Sequence, residues 1–389
     1  MVKIILLIAF GLTTIFSPAQ SPGKIHQAAI VADTHNDILS TIAEKGYDLG
    51  DNLKSKTHTD LNRLKEGGVD IQIFSIFCDE RYGKGTAFNY ALREMDTLQQ
   101  VALRNPDKIS LVHNRAQLKA ALRAGKIAAL TGVEGGHMIE DNLQYLDSFY
   151  TRGARYMTLT WNNSVSWASS AADESNGKMP FGSKGLTGFG KQVVKRMNEL
   201  GMMVDISHVG EQTFYDAIST TTKPVIASHS SVYSLCPHPR NLKDDQIRAI
   251  GKNGGVIFIN FYSGFIDSNY MRRKEAFLQN HKQEVDSLVN LKWPMYLVED
   301  FFFKKYAGEI ESLRPALAQL MDHFDYVIRL IGVDHVGIGS DFDGIESAPQ
   351  GLEGVQDFPK ITEALLQRGY SKKDVRKILG GNFLRIFPG

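Results

Sequence analysis

The chain has 389 residues, 43% hydrophobic and 22% charged, and this ordinary globular composition excludes a mainly disordered protein. Its 44 basic and 43 acidic side chains leave a formal net charge of +1. Without a global electrostatic field to hold a polyanion, we expect no nucleic-acid partner. The 2 cysteines, Cys78 and Cys236, are too few for a disulfide-stabilised scaffold.

The N-terminus has the pattern of a secretory signal peptide. Lys3 precedes an apolar stretch from Ile4 to Phe16, and Ser17-Pro18-Ala19 supplies small residues at a cleavage position. The sequence therefore predicts removal of residues 1–19 and export of the remainder, to the periplasm or as a secreted protein. The apolar run is short for a membrane span, so we expect no stable membrane anchor. An uncleaved N-terminal anchor is the alternative.

Eight short apolar runs recur along the rest of the chain, separated by stretches of helical periodicity. Most are rich in Val, Ile, Leu or Phe without strict alternation, as is typical of parallel strands covered on both faces. Eight strand–helix units predict a (β/α)₈ TIM-like barrel. The predicted strands are Ala29–Asp33, Val69–Phe77, Ile127–Val133, Arg155–Thr160, Met202–Ile206, Pro224–Ser228, Gly255–Asn260 and His335–Ser340.

A doubly wound open sheet is the alternative architecture. It requires a glycine-rich phosphate-binding turn after the first strand, and Thr34-His35-Asn36-Asp37 is not such a turn. Charged, helix-like sequence runs from Met271 to about Asp325, with no low-complexity linker around it. We interpret this segment as helical elaboration before the last strand, within a single domain over residues 20–389.

Potential metal ligands follow five of the predicted strands. The carboxyl ends of barrel strands share one rim, where active sites of this fold lie. A lone histidine there is more often structural, so the prediction depends on the joint pattern. These nitrogen and hard-oxygen donors are more than one catalytic zinc ion binds. Two metal ions bridged by a carboxylate are therefore the simplest interpretation. The residues are His35, Asp37, Glu134, His137, His208, His229, Asp341 and Asp343.

Six motifs, in order from about Asp33 to Phe387, resemble the membrane dipeptidase (renal dipeptidase) family of zinc peptidases. This resemblance implies a barrel of the metal-dependent hydrolase type, two zinc ions per chain, a dipeptide substrate and a homodimer. The motifs are Asp33-Thr34-His35-Asn36-Asp37, Glu134-Gly135-Gly136-His137, Ile206-Ser207-His208-Val209, Ser228-His229-Ser230-Ser231, Pro239-Arg240-Asn241 and Gly339-Ser340-Asp341-Phe342-Asp343-Gly344.

The resemblance also implies how the two zinc ions are held. His35 and Asp37 would ligate one ion, and His208 and His229 would ligate the other. Glu134 would bridge the two, with a hydroxide between the metals attacking the peptide carbonyl.

Three further residues take roles from the resemblance. Asp341 would relay a proton to the leaving amine, and Arg240 would grip the C-terminal carboxylate of the substrate. A surface salt bridge is the alternative for Arg240. Trp161 stands where many relatives carry a histidine that contacts substrate and helps to stabilise the oxyanion. An indole donates one N–H and carries no charge, so we expect Trp161 to contact substrate and to alter the range of substrates.

The sequence thus predicts an exported zinc-dependent dipeptidase acting on dipeptides with a free C-terminal carboxylate. One alternative is a dinuclear-zinc hydrolase of another small amide, such as an N-acyl amino acid or a lactam. Another is a non-catalytic exported binding protein on the same barrel. Manganese or cobalt could occupy the same donors. Cys78 and Cys236 lack the partner cysteines of animal relatives, which predicts two free, buried thiols.

Overall fold

The computed structural model describes residues 21–293 and 295–388. The predicted signal peptide therefore lies outside the described residues. No helix in the described part of the chain is long and apolar enough to cross a membrane. Cys78 and Cys236 are both buried and free, as predicted.

Nine parallel strands in the described residues form one sheet. They are β1 (Val31–Asp33), β2 (Val69–Ile76), β3 (Ile109–Leu111), β4 (Ile127–Glu134), β5 (Ala154–Thr158), β6 (Met203–Asp205), β7 (Ile226–Ala227), β8 (Val256–Ile259) and β9 (Val336–Ile338). Eight of them close a barrel in the order β1-β2-β4-β5-β6-β7-β8-β9, and β9 pairs with β1 through Ile338 and Asp33. The predicted (β/α)₈ barrel is confirmed, and the eight predicted strands are the eight strands of its wall.

The strand β3 was not predicted. It pairs with the first residues of β4, while β5 pairs with the last residues of β4, so β3 lies outside the ring of eight. Three residues are too few to show a strand periodicity in the sequence.

Helices surround the barrel. They are α1 (Pro22–Gln27), α2 (Ile38–Lys45), α3 (Leu61–Glu66), α4 (Ala87–Arg104), α5 (Arg115–Arg123), α6 (Leu143–Thr151), α7 (Ala171–Ser175), α8 (Gly188–Leu200), α9 (Glu211–Thr220), α10 (Asp244–Asn253), α11 (Ser263–Ile266), α12 (Tyr270–Asn280), α13 (Lys282–Asn290), α14 (Met295–Lys305), α15 (Ala307–Leu313), α16 (Leu317–Ile331), α17 (Phe358–Gln367), α18 (Lys372–Arg376) and α19 (Asn382–Ile386). Short 3₁₀ turns cover Gly136–Ile139, Val333–His335 and Val355–Asp357, and a π-helical turn covers Lys377–Gly381.

The helix α8 shows why these segments are helical. Val193, Val194 and Met197 recur at helical spacing and are all buried against the barrel. The side chain of Thr187 caps the first turn, and Gly201 ends the helix with a φ of 78°. A residue with a side chain rarely adopts that left-handed conformation, so glycine stops the helix at this point.

The helical elaboration before the last strand is confirmed as α12 to α15, between β8 and β9. Its helices bury a small apolar cluster of their own, formed by Phe277, Val298, Phe302, Phe303 and Ile310. The buried ammonium of Lys274 on α12 lies 2.9 Å from Glu299 on α14 and 2.8 Å from Glu346 in the loop after β9. The Lys274–Glu346 ion pair ties the elaboration to the carboxyl rim of the barrel.

Candidate active site

Six of the predicted site residues converge at the carboxyl rim of the barrel. They lie at or shortly after the ends of five strands, with two of them after β1, because parallel strands of a barrel end on the same side. Five of the side chains are buried and that of Asp341 is 13% exposed. The converging residues are His35, Asp37, Glu134, His208, His229 and Asp341.

Glu134 lies at the centre of this cluster and divides its two oxygens between two sets of donors. Its Oε2 is 3.3 Å from His35 Nε2 and accepts a hydrogen bond from the Ser75 hydroxyl at 3.2 Å. Its Oε1 is 3.0 Å from His208 Nε2 and 3.4 Å from His229 Nε2. One carboxylate therefore faces His35 with one oxygen and His208 and His229 with the other.

His35 also faces the other two carboxylates. Its Nε2 is 3.4 Å from Asp37 Oδ2 and 3.9 Å from Asp341 Oδ1. His35 Nε2 and Asp37 Oδ1 are buried without a hydrogen-bond partner among the described residues. A buried unpaired nitrogen and oxygen side by side are costly unless they share a cation.

The backbone of Asp341 is held in a strained conformation that aims its carboxylate into the cluster. Its φ is 62°, which is unusual for a residue with a side chain. Its N–H donates to the His35 carbonyl at 3.1 Å, and its Oδ2 accepts from Asn260 Nδ2 at 2.7 Å. These bonds leave Oδ1 as the oxygen that faces His35.

Hydrogen bonds on the far side of each imidazole fix which nitrogen is free. His208 Nδ1 lies 3.0 Å from Asn162 Oδ1, an oxygen that can only accept. His229 Nδ1 lies 2.7 Å from the Ser228 hydroxyl, which donates its hydrogen to Asp205 at 2.6 Å. Both imidazoles therefore carry their proton on Nδ1 and turn an unprotonated Nε2 toward Glu134, as a metal ligand must.

The charge state of the cluster also suits cation binding. Burial lowers the pKa of His208 to about 3, with Arg240 adding to the effect. Burial, together with the charge of His35, lowers the pKa of His229 well below its usual value. Both imidazoles are thus neutral at pH 7. Although burial opposes it, the positive charge of His35 holds the pKa of Glu134 well below its usual range.

The pKa values of His35 and Asp341 are instead raised. Burial lowers the pKa of His35, but the charges of Asp37 and Glu134 outweigh it and raise the net value well above normal. Burial and the neighbouring Asp37 raise the pKa of Asp341 well above its usual range. A divalent ion beside His35 would take the place of the proton that these carboxylates otherwise attract.

The donor set therefore fits divalent metal ions. Two overlapping groups each place their ligand atoms within 4.8 Å of one another, His35 with Glu134 and His229, and His35 with Asp37 and Asp341. Neutral imidazole and carboxylate together are characteristic zinc ligands.

Arg240 lies in the segment that follows β7 and is only 7% exposed. It donates from a terminal nitrogen to the His229 carbonyl at 3.2 Å and stacks 5.4 Å from the centre of the Phe265 ring. It forms no ion pair with another described residue, and its Nε is buried without a partner there. Burial lowers its pKa to about 10, which leaves it charged at pH 7. The surface salt-bridge alternative is therefore wrong.

Trp161 lies on the loop after β5, half-buried at the rim. Its ring centre is 6.4 Å from that of His208 and 4.9 Å from that of Phe77. The structure thus places it beside the cluster, within reach of a ligand there.

Two ligand-type residues from the sequence do not join the cluster. His137 turns away and bonds the Cys78 carbonyl through Nε2 at 3.0 Å. Asp343 accepts from the His58 backbone N–H at 2.7 Å and so fixes a loop. Conversely, the supporting residues Tyr156, Asn162, Ser228, Asp205 and Asn260 were not predicted. The signal for them is weak, because single polar residues at strand ends and in loops are common.

A barrel of eight parallel strands with buried imidazoles and carboxylates at its carboxyl rim defines a metal-dependent hydrolase. The family model for membrane dipeptidase (peptidase family M19) matches residues 20–389, and the chain belongs to this family. The resemblance found in the sequence is confirmed, and the protein is a metallo-dipeptidase.

Individual relatives agree in sequence and in fold. An uncharacterized dipeptidase of Schizosaccharomyces pombe is 32% identical over 383 residues, covering 94% of this chain and 81% of the relative. A Rhodobacter sphaeroides metallopeptidase, liganded with a phosphinate mimic of the dipeptide L-Ala-D-Ala, has a TM-score of 0.74 at 22% identity, covering 92% of this chain and 99% of its own. The probable dipeptidase PvdM from Pseudomonas aeruginosa has a TM-score of 0.73 at 23% identity, covering 94% and 96%.

Proposed function

We propose that this metallo-dipeptidase uses two zinc ions per chain to hydrolyse dipeptides that have a free C-terminal carboxylate. The observation that carries the proposal is the division of Glu134 between two donor sets, with Oε2 toward His35 and Oε1 toward His208 and His229. In this arrangement His35 and Asp37 would hold one ion, His208 and His229 would hold the other, and Glu134 would contribute to both. Zinc is proposed from the donor types.

When bound, two such ions lower the pKa of a water molecule to form a nucleophile and polarise the substrate carbonyl. Asp341 then handles the proton. Its Oδ1 faces the cluster while Asn260 occupies Oδ2 with a hydrogen bond, so Oδ1 is the atom that accepts a proton and passes it to the leaving amine.

Arg240 binds the carboxylate of the second residue of the dipeptide. The guanidinium is buried beside the cluster, and its Nε has no partner among the described residues. A planar fork of N–H donors suits bidentate binding of a carboxylate, and the low dielectric of the site strengthens the pair. Because Arg240 also donates to the carbonyl of the cluster residue His229, the carboxylate that it binds would lie close to the scissile bond.

The cellular setting is proposed from the sequence. The N-terminal pattern supports export to the periplasm or the medium after cleavage of residues 1–19. The family resemblance supports a homodimer.

The test uses residues 20–389, purified, loaded with zinc and assayed against a panel of L-L and L-D dipeptides. We expect about two zinc ions per chain, hydrolysis that is lost on chelation, and recovery when zinc is restored. Zinc-loaded protein that cleaves no member of the panel would overturn the proposal. A metal-free chain that binds dipeptides without cleaving them would instead identify a binding protein.

A second arm tests the bridging residue. Glu134→Ala should deplete both ions, because one carboxylate serves both sites. His335→Ala is the matched control, since His335 bonds the Gly255 carbonyl at the amino end of β9, away from the rim. Metal content is measured by atomic emission, with circular dichroism to confirm folding. A Glu134→Ala protein that still holds two ions contradicts the bridging role.

A further inference from the structure

Two aromatic side chains, Phe77 and Trp161, stand together at the rim beside the metal-ligand cluster; we name them the aromatic wall. Their ring centres are 4.9 Å apart and their planes are inclined by 58°. Both side chains are half-buried, so each keeps part of its apolar surface exposed at the mouth of the barrel. Exposed aromatic surface next to a catalytic centre is available to a ligand.

The position of Phe77 follows from the strand before it. Alternate residues of a strand point to the same side, and Ser75 points inward to bond Glu134. Phe77 therefore lies one step nearer the mouth than Ser75, and because Ile76 pairs with Val133 it stands level with Glu134 on the neighbouring strand. Its N–H donates at 2.6 Å to Glu94, a buried carboxylate on α4, which holds the backbone in place.

Trp161 packs close to the segment that follows Glu134. Gly135, which follows Glu134 directly, has a φ of 118°, and a side chain there would lie 3.4 Å from Trp161 Cβ and 2.6 Å from the His137 imidazole. The φ of Gly135 and the His137 imidazole are what require glycine here, and Trp161 lies at van der Waals distance from this position at the end of β4. The aromatic wall is therefore built onto the segment that carries the central carboxylate.

The carboxylate-binding group is separated from the aromatic wall around the rim. Arg240 donates to the His229 carbonyl just after β7, whereas Phe77 follows β2, four strands from β7 in either direction, and Trp161 follows β5, two strands from β7. A dipeptide with its carboxylate at Arg240 and its scissile bond at the metal-ligand cluster therefore extends its first residue away from Arg240, on the side of the aromatic wall.

We propose that Phe77 and Trp161 bind the side chain of the first residue of the dipeptide and make the enzyme prefer large apolar residues at that position. The inference rests on the proposed function, which sets the direction of the substrate. A single well-placed apolar group changes kcat/KM by roughly 10- to 200-fold, and this range bounds the preference that we expect.

The test compares kcat/KM for the L-L dipeptides Phe-Ala, Lys-Ala, Ala-Phe and Ala-Ala. Ratios within one preparation are used because they cancel differences in metal content and active fraction. For the natural sequence we expect Phe-Ala to exceed Ala-Ala by roughly tenfold or more. Trp161→Ala and Phe77→Ala should each bring that ratio to within about threefold of unity, while leaving the Ala-Phe to Ala-Ala ratio as it is.

Leu103→Ala is the control for loss of an apolar side chain, since Leu103 is 64% exposed near the end of α4, at the opposite rim. It should leave every ratio unchanged. Trp161→Leu and Phe77→Leu keep an apolar side chain and should give intermediate ratios, and they test the proposal if the alanine variants do not fold.

Three outcomes would overturn the inference. The first is equal kcat/KM for Phe-Ala and Ala-Ala. The second is a preference for Lys-Ala, which would indicate that the rings recognise a cation. The third is a Phe-Ala to Ala-Ala ratio that does not change in the variants of Phe77 and Trp161. A protein that cleaves none of the four, nor any other dipeptide, contradicts the proposed function instead, so the two failures are distinguishable.

Discussion

His35 Nδ1 lies 2.8 Å from the hydroxyl of Tyr156, and that hydroxyl donates its hydrogen to the Thr34 carbonyl at 3.1 Å. A hydroxyl has one hydrogen, so Tyr156 can only accept from the imidazole. The proton that His35 shares with Tyr156 therefore lies on Nδ1, and Nε2 is the nitrogen that is available to a metal.

Tyr156→Phe should weaken metal binding without removing a ligand. The phenyl ring keeps its packing in the barrel, but Nδ1 loses its acceptor and the imidazole loses its orientation. We expect zinc affinity at the His35 site to fall by roughly 10- to 100-fold, measured by competition with a chromophoric chelator. Tyr326→Phe is the control, because it removes a hydroxyl that bonds Asp244 on α10. Equal affinities for both variants and the natural protein would contradict this role.

The cluster itself was predictable from sequence because its geometry follows from topology. Once eight parallel strands are predicted, their carboxyl ends must share a rim, and His35, Glu134 and His229 each lie at or immediately after a strand end. No knowledge of side-chain packing is needed for that step. The sequence pattern alone could not separate these residues from His137, which occupies an equivalent place but turns toward the Cys78 carbonyl.

The supporting residues were not predictable for the opposite reason. The side chains of Tyr156 and His35 are in contact although 121 positions separate them in the sequence, and those of Asn162 and His208 although 46 positions do. In the sequence Tyr156 is indistinguishable from an ordinary core tyrosine of a strand. Its function depends on the orientation of one hydroxyl, which only the packed barrel determines. The burial of Arg240 depends similarly on the path of the segment after β7.

Arg240→Lys tests the grip on the substrate carboxylate. Lysine keeps the charge but lacks the planar fork, so we expect a higher KM, with kcat/KM lowered by about 1.5–3 kcal/mol. A dipeptide amide, which lacks the carboxylate, completes a double-mutant cycle. When the amide replaces the free dipeptide, kcat/KM of the natural enzyme should fall by a comparable factor, whereas kcat/KM of Arg240→Lys should fall little further. Arg196→Lys is the control, since Arg196 pairs with Asp147 on the surface. Equal losses from amidation in both enzymes would contradict the assignment.

Asp341→Asn tests the proton relay. The amide can still pair with Asn260 but cannot accept the proton, so kcat should fall by roughly 100-fold or more with zinc content intact. The control is Asp343→Asn, two residues further on, because that side chain accepts from the His58 N–H and needs no proton. Turnover and zinc content are measured on the same preparations. Natural turnover in Asp341→Asn would remove the role assigned to it.

His323, on α16, should make the fold sensitive to acid. Its Nδ1 accepts from the Val232 N–H at 3.1 Å and its Nε2 donates to the Ile266 carbonyl at 3.1 Å, so a second proton would face a donor. Burial lowers its pKa to about 4, whereas in the unfolded chain it titrates near 6.5. Between these values the unfolded chain binds more protons, so stability falls as pH drops from about 6.5 to about 4, by up to about 3 kcal/mol. The side chain of His323→Gln stays neutral at every pH. The free energy of unfolding of this variant, measured with denaturant at several pH values, should be lower than that of the natural protein at neutral pH, and the difference should shrink toward pH 4. A deficit that is constant with pH contradicts this account.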